Sequence, residues 1–441
     1  MSSPTTSPTP RATPRHDATP SRHLQIEQCD AVELVARFGS PLYVVSESAL
    51  RSRIAEWVEA LAMAWPNGPT RVLPSVKANT VLAVQQIVRD TGCGADTFGA
   101  GEYEITRRVG FDPATVSVNG QKTPELIERA IADGARLTVD NIDELPEIRR
   151  AAARLGRVAK VRIRVRPPLD GWDSPSDLIA EAVPTSTIMG IYKPGVPVHQ
   201  LARLSPADFG DEIDLVGLHA HVARNTRDPQ YWALAAREVI DIAAVVRRSL
   251  PGWVLREIDL GGGFPSQDDN VGAAIDRVRE KYAHSAVPTP AEYMQVMADA
   301  LRVAAVDHDF DVDGVLLSVE PGRGLFSSCG HHLATVMRRK EQVTPFQHQW
   351  IELDTSVVHF GVEESNRWET VAASQVDDTP AIIADVVGCS CQLDLMVSGA
   401  TLPDLAPGDI VAFPDSGAYQ ETGGSNFRAL RSAGCRVDPR R

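Results

Sequence analysis

Four kinds of group in this sequence are able to do chemistry together. They are an amine at Lys77, an imidazole at His221, a carboxylate at Glu320 and a glycine run, Gly261-Gly262-Gly263. Lys77 closes a short apolar stretch, Arg71-Val72-Leu73-Pro74-Ser75-Val76. An ammonium taken out of water without a partner has its pKa lowered, and an amine held that way attacks carbonyl carbon. The glycines free three backbone N–H groups from side-chain crowding, which suits a phosphate. Gly322 and Arg323 add donors for the same anion. Glu320 is placed to pair with a ring nitrogen, and His221 to stack on a flat ring. An amine for an aldehyde, a phosphate site, a ring partner and a stacking ring describe a pocket for pyridoxal 5'-phosphate, an electron sink.

The elements that must position these groups follow a rhythm. Strands are expected at 71–79, 95–98, 115–119, 136–140, 158–165, 215–222, 254–260 and 314–319, mostly alternating with helical patterns. A helix after Ser46 carries Leu50, Ile54, Trp57 and Leu61 on one face, with Ser46 as its N-cap. Eight βα units over this length predict an α/β fold, a closed parallel (β/α)8 barrel; an open doubly wound sheet would want a glycine fingerprint after its first strand, and none is present. Polar residues at the carboxyl ends of barrel strands read as catalytic. Lys77, Asp96, Asn119, His221, the glycine triplet and Glu320 to Arg323 all fall there. Taken singly, each has an ordinary structural explanation; their shared placement does not.

Beyond Arg323 the pattern changes to strands joined by Pro, Gly and Asp turns, at 350–354, 381–387 and 410–413, so a mostly-β C-terminal domain is expected. The strand Pro41 to Val45 would pair with it. The expected organisation is a disordered Ser/Thr/Pro tail over 1–22, an N-terminal strand region over 23–45, a barrel over 46–325 and a β domain over 326–441. A net charge of −14 over 441 residues argues against nucleic acid or an anionic membrane as partner. No stretch reaches the roughly 20 apolar residues of a membrane span. Six cysteines and no signal peptide point to reduced thiols in a cytoplasm. Cys389-Ser390-Cys391 lacks the spacing of a metal site, so no metal is expected.

At these residues the sequence resembles the fold-type III pyridoxal-phosphate-dependent decarboxylases, the group of diaminopimelate and ornithine decarboxylases. The matching stretches are Val76-Lys77-Ala78-Asn79, Gly94-Ala95-Asp96 with Gly101-Glu102, Gly217-Leu218-His219-Ala220-His221, Asp259-Leu260-Gly261-Gly262-Gly263-Phe264, Glu320-Pro321-Gly322-Arg323 and Gly417-Ala418-Tyr419. They run in family order over roughly residues 40 to 430. The resemblance implies an alanine racemase-like barrel with Lys77 carrying the cofactor as a Schiff base, Asp96 beside it and His221 stacked on the ring. It implies Glu320 at the pyridine nitrogen, favouring a quinonoid intermediate, and the glycines, Arg323 and Tyr419 at the phosphate. Cys391 stands where the family places a cysteine that reprotonates Cα across a dimer interface, so a homodimer with shared sites is implied, with Cys391 and Tyr419 serving the neighbour. Because racemases of this fold set an arginine against the ring nitrogen, Glu320 favours decarboxylation over racemisation or epimerisation. A non-catalytic regulatory homologue would be expected to lack Lys77 or Cys391.

Substrate-reading positions depart from the family. The acidic residue after the cysteine is Gln392, followed by a shortened Leu393-Asp394. Asp354 to Phe360 stands where diaminopimelate decarboxylases carry an Arg-Pro pair, and no arginine matches. After His221 the usual Gly-Ser is Ala223-Arg224, and a Ser-Lys-Phe-Gly-Ile stretch has become Ser186-Thr187-Ile188-Met189-Gly190-Ile191. An unpaired basic group in a site costs a few kcal/mol, of order ~1–3. The expected substrate is therefore a non-standard or biosynthetic amino acid whose distal end meets Arg224, Gln392 or Asp394.

Overall fold

The computed structural model describes residues 22–169, 193–223, 225–267, 286–359, 370–376, 378–391, 394–425 and the backbone of 433–437. The tail, the 186–191 stretch, Arg224 and Gln392 lie outside the described residues, apart from Arg22 at the tail's end.

After a short helix, Ala31–Phe38, the chain passes into β1 (Leu42–Ser46) and turns at once into a second helix, Glu47–Ala64. Ser46 caps that helix, its hydroxyl accepting from Ala49 N–H at 3.0 Å. Leu50, Ile54, Trp57 and Leu61 are buried against the barrel, the one-sided stripe that a 3.6-residue period gives. Eight parallel strands then follow: β2 (Thr70–Val72), β3 (Ala95–Thr97), β4 (Val116–Val118), β5 (Arg136–Val139), β6 (Ala159–Arg164), β7 (Ile213–His219), β8 (Glu257–Asp259) and β9 (Leu316–Val319). Their order runs β2-β9-β8-β7-β6-β5-β4-β3. The ring closes between β2 and β3 just beyond the ladder, through Gly94 N–H to Val72 O and Asp96 N–H to Pro74 O, both at 3.2 Å. The expected barrel is therefore present.

One correction concerns its first strand. The run from Arg71 does not continue as strand to Asn79. It stops at Val72, and Val76–Ala78 forms a 3-10 turn. Pro74 has no N–H to give a ladder, and beyond it the pairing is reduced to a single bridge between Ser75 and Asp96. Lys77 therefore stands on a turn over the carboxyl end of β2, not within a strand.

Phe264 fixes the loop after β8. It stacks on Trp232 with centroids 4.3 Å apart and meets Trp57 at 4.8 Å and Tyr293 at 5.3 Å. Those rings come from three surrounding helices, Glu47–Ala64, Pro229–Ser249 and Pro290–Asp307. The glycines just before Phe264 are thus anchored by the barrel's outer layer.

The second unit is a sheet built on β10 (Gly330–Gln342), with β11 (His348–Leu353), β12 (Ile382–Val387), β13 (Leu395–Leu402) and β14 (Ile410–Phe413). β1 pairs antiparallel with β10, Leu42 opposite Leu333, and Ala433–Val437 pairs parallel with β1. Val336, Ile351, Leu353, Val386, Met396 and Phe413 form its core.

Candidate active site

The amine of Lys77 is not alone. Its Nζ donates to Asp96 Oδ2 at 2.9 Å and to Ser75 Oγ at 2.6 Å, and Ser75 Oγ donates to the same Asp96 oxygen at 2.6 Å. Burial pulls the Lys77 ammonium down, but Asp96, Tyr419 and Glu320 outweigh it, and its pKa lies above the ordinary lysine value. The sequence reading of an unpaired, acidified ammonium is corrected here. Asp96 comes from the neighbouring strand, and an adjacent carboxylate favours the charged amine. Phe98 lies on the open side, its ring centroid 5.9 Å from Nζ.

Glu320 follows β9 and is 2 % exposed. Its Oε1 accepts from Asn119 Nδ2 at 2.7 Å, and its Oε2 faces His219 Nε2 at 3.2 Å and His221 Nδ1 at 3.6 Å. Burial alone would raise its pKa; His219 reverses that and holds it well below the carboxylate range. His221 Nδ1 accepts the Gly262 N–H at 3.1 Å, which leaves the ring proton on Nε2 of a neutral imidazole. Burial lowers the His221 pKa, in the same direction. One nitrogen each of His219 and His221 and one oxygen of Glu320 lie within 4.8 Å of one another. A metal among them would need the Nδ1 lone pair that Gly262 occupies.

The glycine loop is more committed than its sequence implies. Gly261 N–H donates to Asp259 Oδ1 at 3.0 Å and Gly262 N–H to His221. Among the described residues, the N–H groups of Gly263 and Gly322 and the hydroxyl of Tyr419 have no protein acceptor. Gly263 has φ +108°, and a Cβ there would stand 2.2 Å from Ala223 O; a Cβ on Gly322 would stand 2.7 Å from the Tyr419 hydroxyl. Arg323 lies over the Tyr419 ring at 4.9 Å. Unclaimed donors beside a guanidinium, on backbone that only glycine fits, make an anion cradle. These residues fit a cofactor phosphate.

Tyr419 belongs to this chain's own cradle, which corrects the expectation that it serves a neighbour. Its N–H donates to Ala78 O at 2.7 Å, and Asn79 Nδ2 donates to Gly417 O at 3.0 Å. The turn that carries Lys77 thus holds the tyrosine loop.

The β domain contributes differently. Cys391 is an exposed free thiol, and among the described residues no polar contact joins it to the Lys77 cluster. Asp394 is 5 % exposed and points inward. Its Oδ1 accepts from Val357 N–H at 2.7 Å and Ser356 Oγ at 3.1 Å, and its Oδ2 from Ser390 N–H at 2.7 Å. Both oxygens hold two loops together, so Asp394 is not a substrate contact in this structure. Position within a motif did not reveal which way the side chain turns.

The matching sequences agree with this geometry. The family described as pyridoxal-dependent decarboxylase, pyridoxal binding domain, matches residues 47–327. The chain belongs to the pyridoxal-dependent decarboxylases. It is a pyridoxal-phosphate-dependent carboxy-lyase. Racemisation and a non-catalytic role are not favoured. A diaminopimelate decarboxylase of Archaeoglobus fulgidus is 27 % identical over 402 residues, 90 % of this chain and 87 % of its own. One of Actinosynnema pretiosum is 28 % identical over 417 residues, covering 91 % and 84 %. In fold, the chain is similar to the crystal structure of the M. jannaschii diaminopimelate decarboxylase, with TM-score 0.80, 24 % identity and 93 % and 90 % coverage. It is also similar to a lysine/ornithine decarboxylase from Vibrio vulnificus, with TM-score 0.71, 20 % identity and 92 % and 98 % coverage.

Three residues of this decarboxylase site had no assigned role in the sequence: Ser75, Asn119 and His219. Asn119 and His219 lie at strand ends, and that placement was the available signal. Ser75 gave none. A fourth, Glu102, lies nearby. Its Oε2 accepts the Phe98 N–H at 2.9 Å, and burial and then Asp96 push its pKa up to about 7.

Proposed function

We propose that this enzyme removes the α-carboxyl group of an amino acid that is neither diaminopimelate nor a standard basic amino acid. The observation that carries the decarboxylase half is one buried cluster. Lys77 reaches Asp96, Asp96 reaches Asn119, and Asn119 reaches Glu320, each by a direct hydrogen bond. Bound there, pyridoxal phosphate supplies an electron-withdrawing ring that makes loss of a carboxyl group from Cα feasible. Lys77 would hold the cofactor covalently, and Asp96 with Ser75 would receive its ammonium whenever the amine is free. Ionised Glu320 would keep a proton on the ring nitrogen. Neutral His221 would present a flat face, and Gly263, Gly322, Arg323 and Tyr419 would bind the phosphate.

Cys391 would return a proton to Cα after CO2 leaves. Its exposure on the β domain, away from its own Lys77 contacts, supports a homodimer in which each chain completes the other's site. The free thiols of the described cysteines support a cytoplasmic location. No helix among the described residues is long and apolar enough to cross a membrane.

The substrate half rests on what reads the distal end. Asp394 is occupied, Asp354 to His359 offers no arginine, and Gln392 replaces an acid. Arg224 and Gln392 remain the proposed contacts. CO2 release and product mass, measured over a panel of amino acids that includes meso-diaminopimelate, lysine, ornithine and arginine, test this. The prediction is that kcat/KM for another amino acid exceeds all four. Diaminopimelate as the best substrate would overturn the substrate reading and leave the decarboxylase reading standing.

A further inference from the structure

Asp96 and Glu320 are 1 % and 2 % exposed, and one neutral group stands between them. The Nδ2 of Asn119 donates to Asp96 Oδ1 at 2.6 Å and to Glu320 Oε1 at 2.7 Å. Neighbours decide which way this amide faces. Asn119 Oδ1 lies 3.1 Å from Ser117 Oγ, and Arg162 donates to that same Oγ. The Ser117 hydroxyl is therefore an acceptor for Arg162 and keeps its hydrogen for Asn119. Turned over, the amide would set its oxygen between two carboxylates and its N–H groups against a hydroxyl already taking one. Arg162 is in turn paired with Asp259, whose other oxygen holds Gly261. Hydrogen bonds thus run from the glycine loop through the barrel interior to both acids.

We propose that Asn119 is a positioning residue. Its single amide gives one hydrogen to the acid that holds the Lys77 amine and the other to the acid that faces the cofactor ring, fixing both acids at once. This rests on the pyridoxal phosphate reading above and adds a residue to it. The requirement is narrow. Serine carries only one hydrogen to give, aspartate would add a third negative charge, and glutamine would add a methylene in a full interior. Without the amide, two buried carboxylates face each other with no donor between them. One of them then takes a proton or turns away. If it is Glu320, the ring nitrogen loses its counter-charge; if it is Asp96, the amine loses its hold. The other charged or titratable groups facing the pair are Lys77 above, Glu102 beside Asp96, His219 and His221 beside Glu320, and Arg162 with Asp259 below.

The test compares wild type with Asn119→Ala and Asn119→Ser, each reconstituted with pyridoxal phosphate. Three quantities are read: the pH midpoint of the bound cofactor's absorbance, the rate at which cofactor-free protein forms its covalent adduct, and kcat and KM on the best substrate of the panel. For Asn119→Ala the midpoint moves by about one pH unit or more and kcat falls at least about tenfold, with KM within about threefold. Asn119→Ser falls between, having one hydrogen to share. An Asn119→Ala protein with an unmoved midpoint and kcat within about twofold of wild type overturns the proposal. If the alanine variant does not fold, a serine variant with wild-type midpoint and adduct rate overturns it equally. Wild type that forms no absorbing adduct sinks the cofactor reading and this proposal together, so the two failures are distinguishable.

Discussion

Replacing Asp96 by Asn should make Lys77 a better nucleophile in cofactor-free protein while making the enzyme a worse catalyst. The amide keeps the shape and an acceptor oxygen, and removes the charge. Two unit charges about 4 Å apart at an effective dielectric of about 20 attract by about 4 kcal/mol. The pair here is closer, at 2.9 Å, but the lysine side chain is 34 % exposed. Solvent screening brings the figure to about 2 kcal/mol, or about 1.5 units of pKa. Asp96 raises the ammonium, so its loss lowers it, and the fraction of free amine at neutral pH rises about 30-fold. The assay is stopped-flow absorbance of adduct formation between cofactor-free protein and pyridoxal phosphate, taken across pH. The midpoint of the rate profile should fall by about 1.5 units. An unmoved midpoint would refute the claim that Asp96 sets the charge of Lys77.

Two further outcomes follow from the geometry. The Glu102 carboxyl is raised from 4.5 to about 7, so folded protein keeps its proton to higher pH than unfolded protein does. Stability of the cofactor-free enzyme is then lost as pH rises through that window, by up to about 3 kcal/mol, and Glu102→Gln should flatten the slope in denaturant titrations at pH 5 and 8. Asp394→Ala leaves the Val357 and Ser390 N–H groups without their acceptor, so it should cost about 3 kcal/mol of stability and leave KM within about twofold; a large rise in KM with an unchanged melting temperature would restore a substrate role for it.

Local signals were enough for the barrel and for half of the site. Lys77, the glycine triplet and Glu320 each sit in a short stretch whose residue types mean little alone and much at strand ends. What escaped reading depends on contacts between strands. Ser75 meets Asp96 only because β2 and β3 close the ring, and Asn119 meets Glu320 across a separation of 201 residues. Asp394 was misassigned because a motif gives order along the chain and no side-chain direction. Tyr419 was given to the wrong subunit because only the fold shows its N–H bonded to Ala78 of the same turn as Lys77. The first strand was drawn too long because the apolar run continues past Pro74, whereas pairing there thins to a single bridge at Ser75 before the chain winds into the 3-10 turn at Val76.

The central claim is that the amine at position 77 carries the cofactor. Reductive trapping of the pyridoxal phosphate adduct, followed by peptide mass mapping, addresses it directly. Lys122 is an internal control, since its Nζ is buried and bonded to the Gly120 and Thr138 carbonyls at 2.6 and 2.7 Å. One labelled peptide is expected, containing Lys77, and none in Lys77→Ala. A label on any other lysine, or none on wild type under conditions that saturate the cofactor, would contradict it.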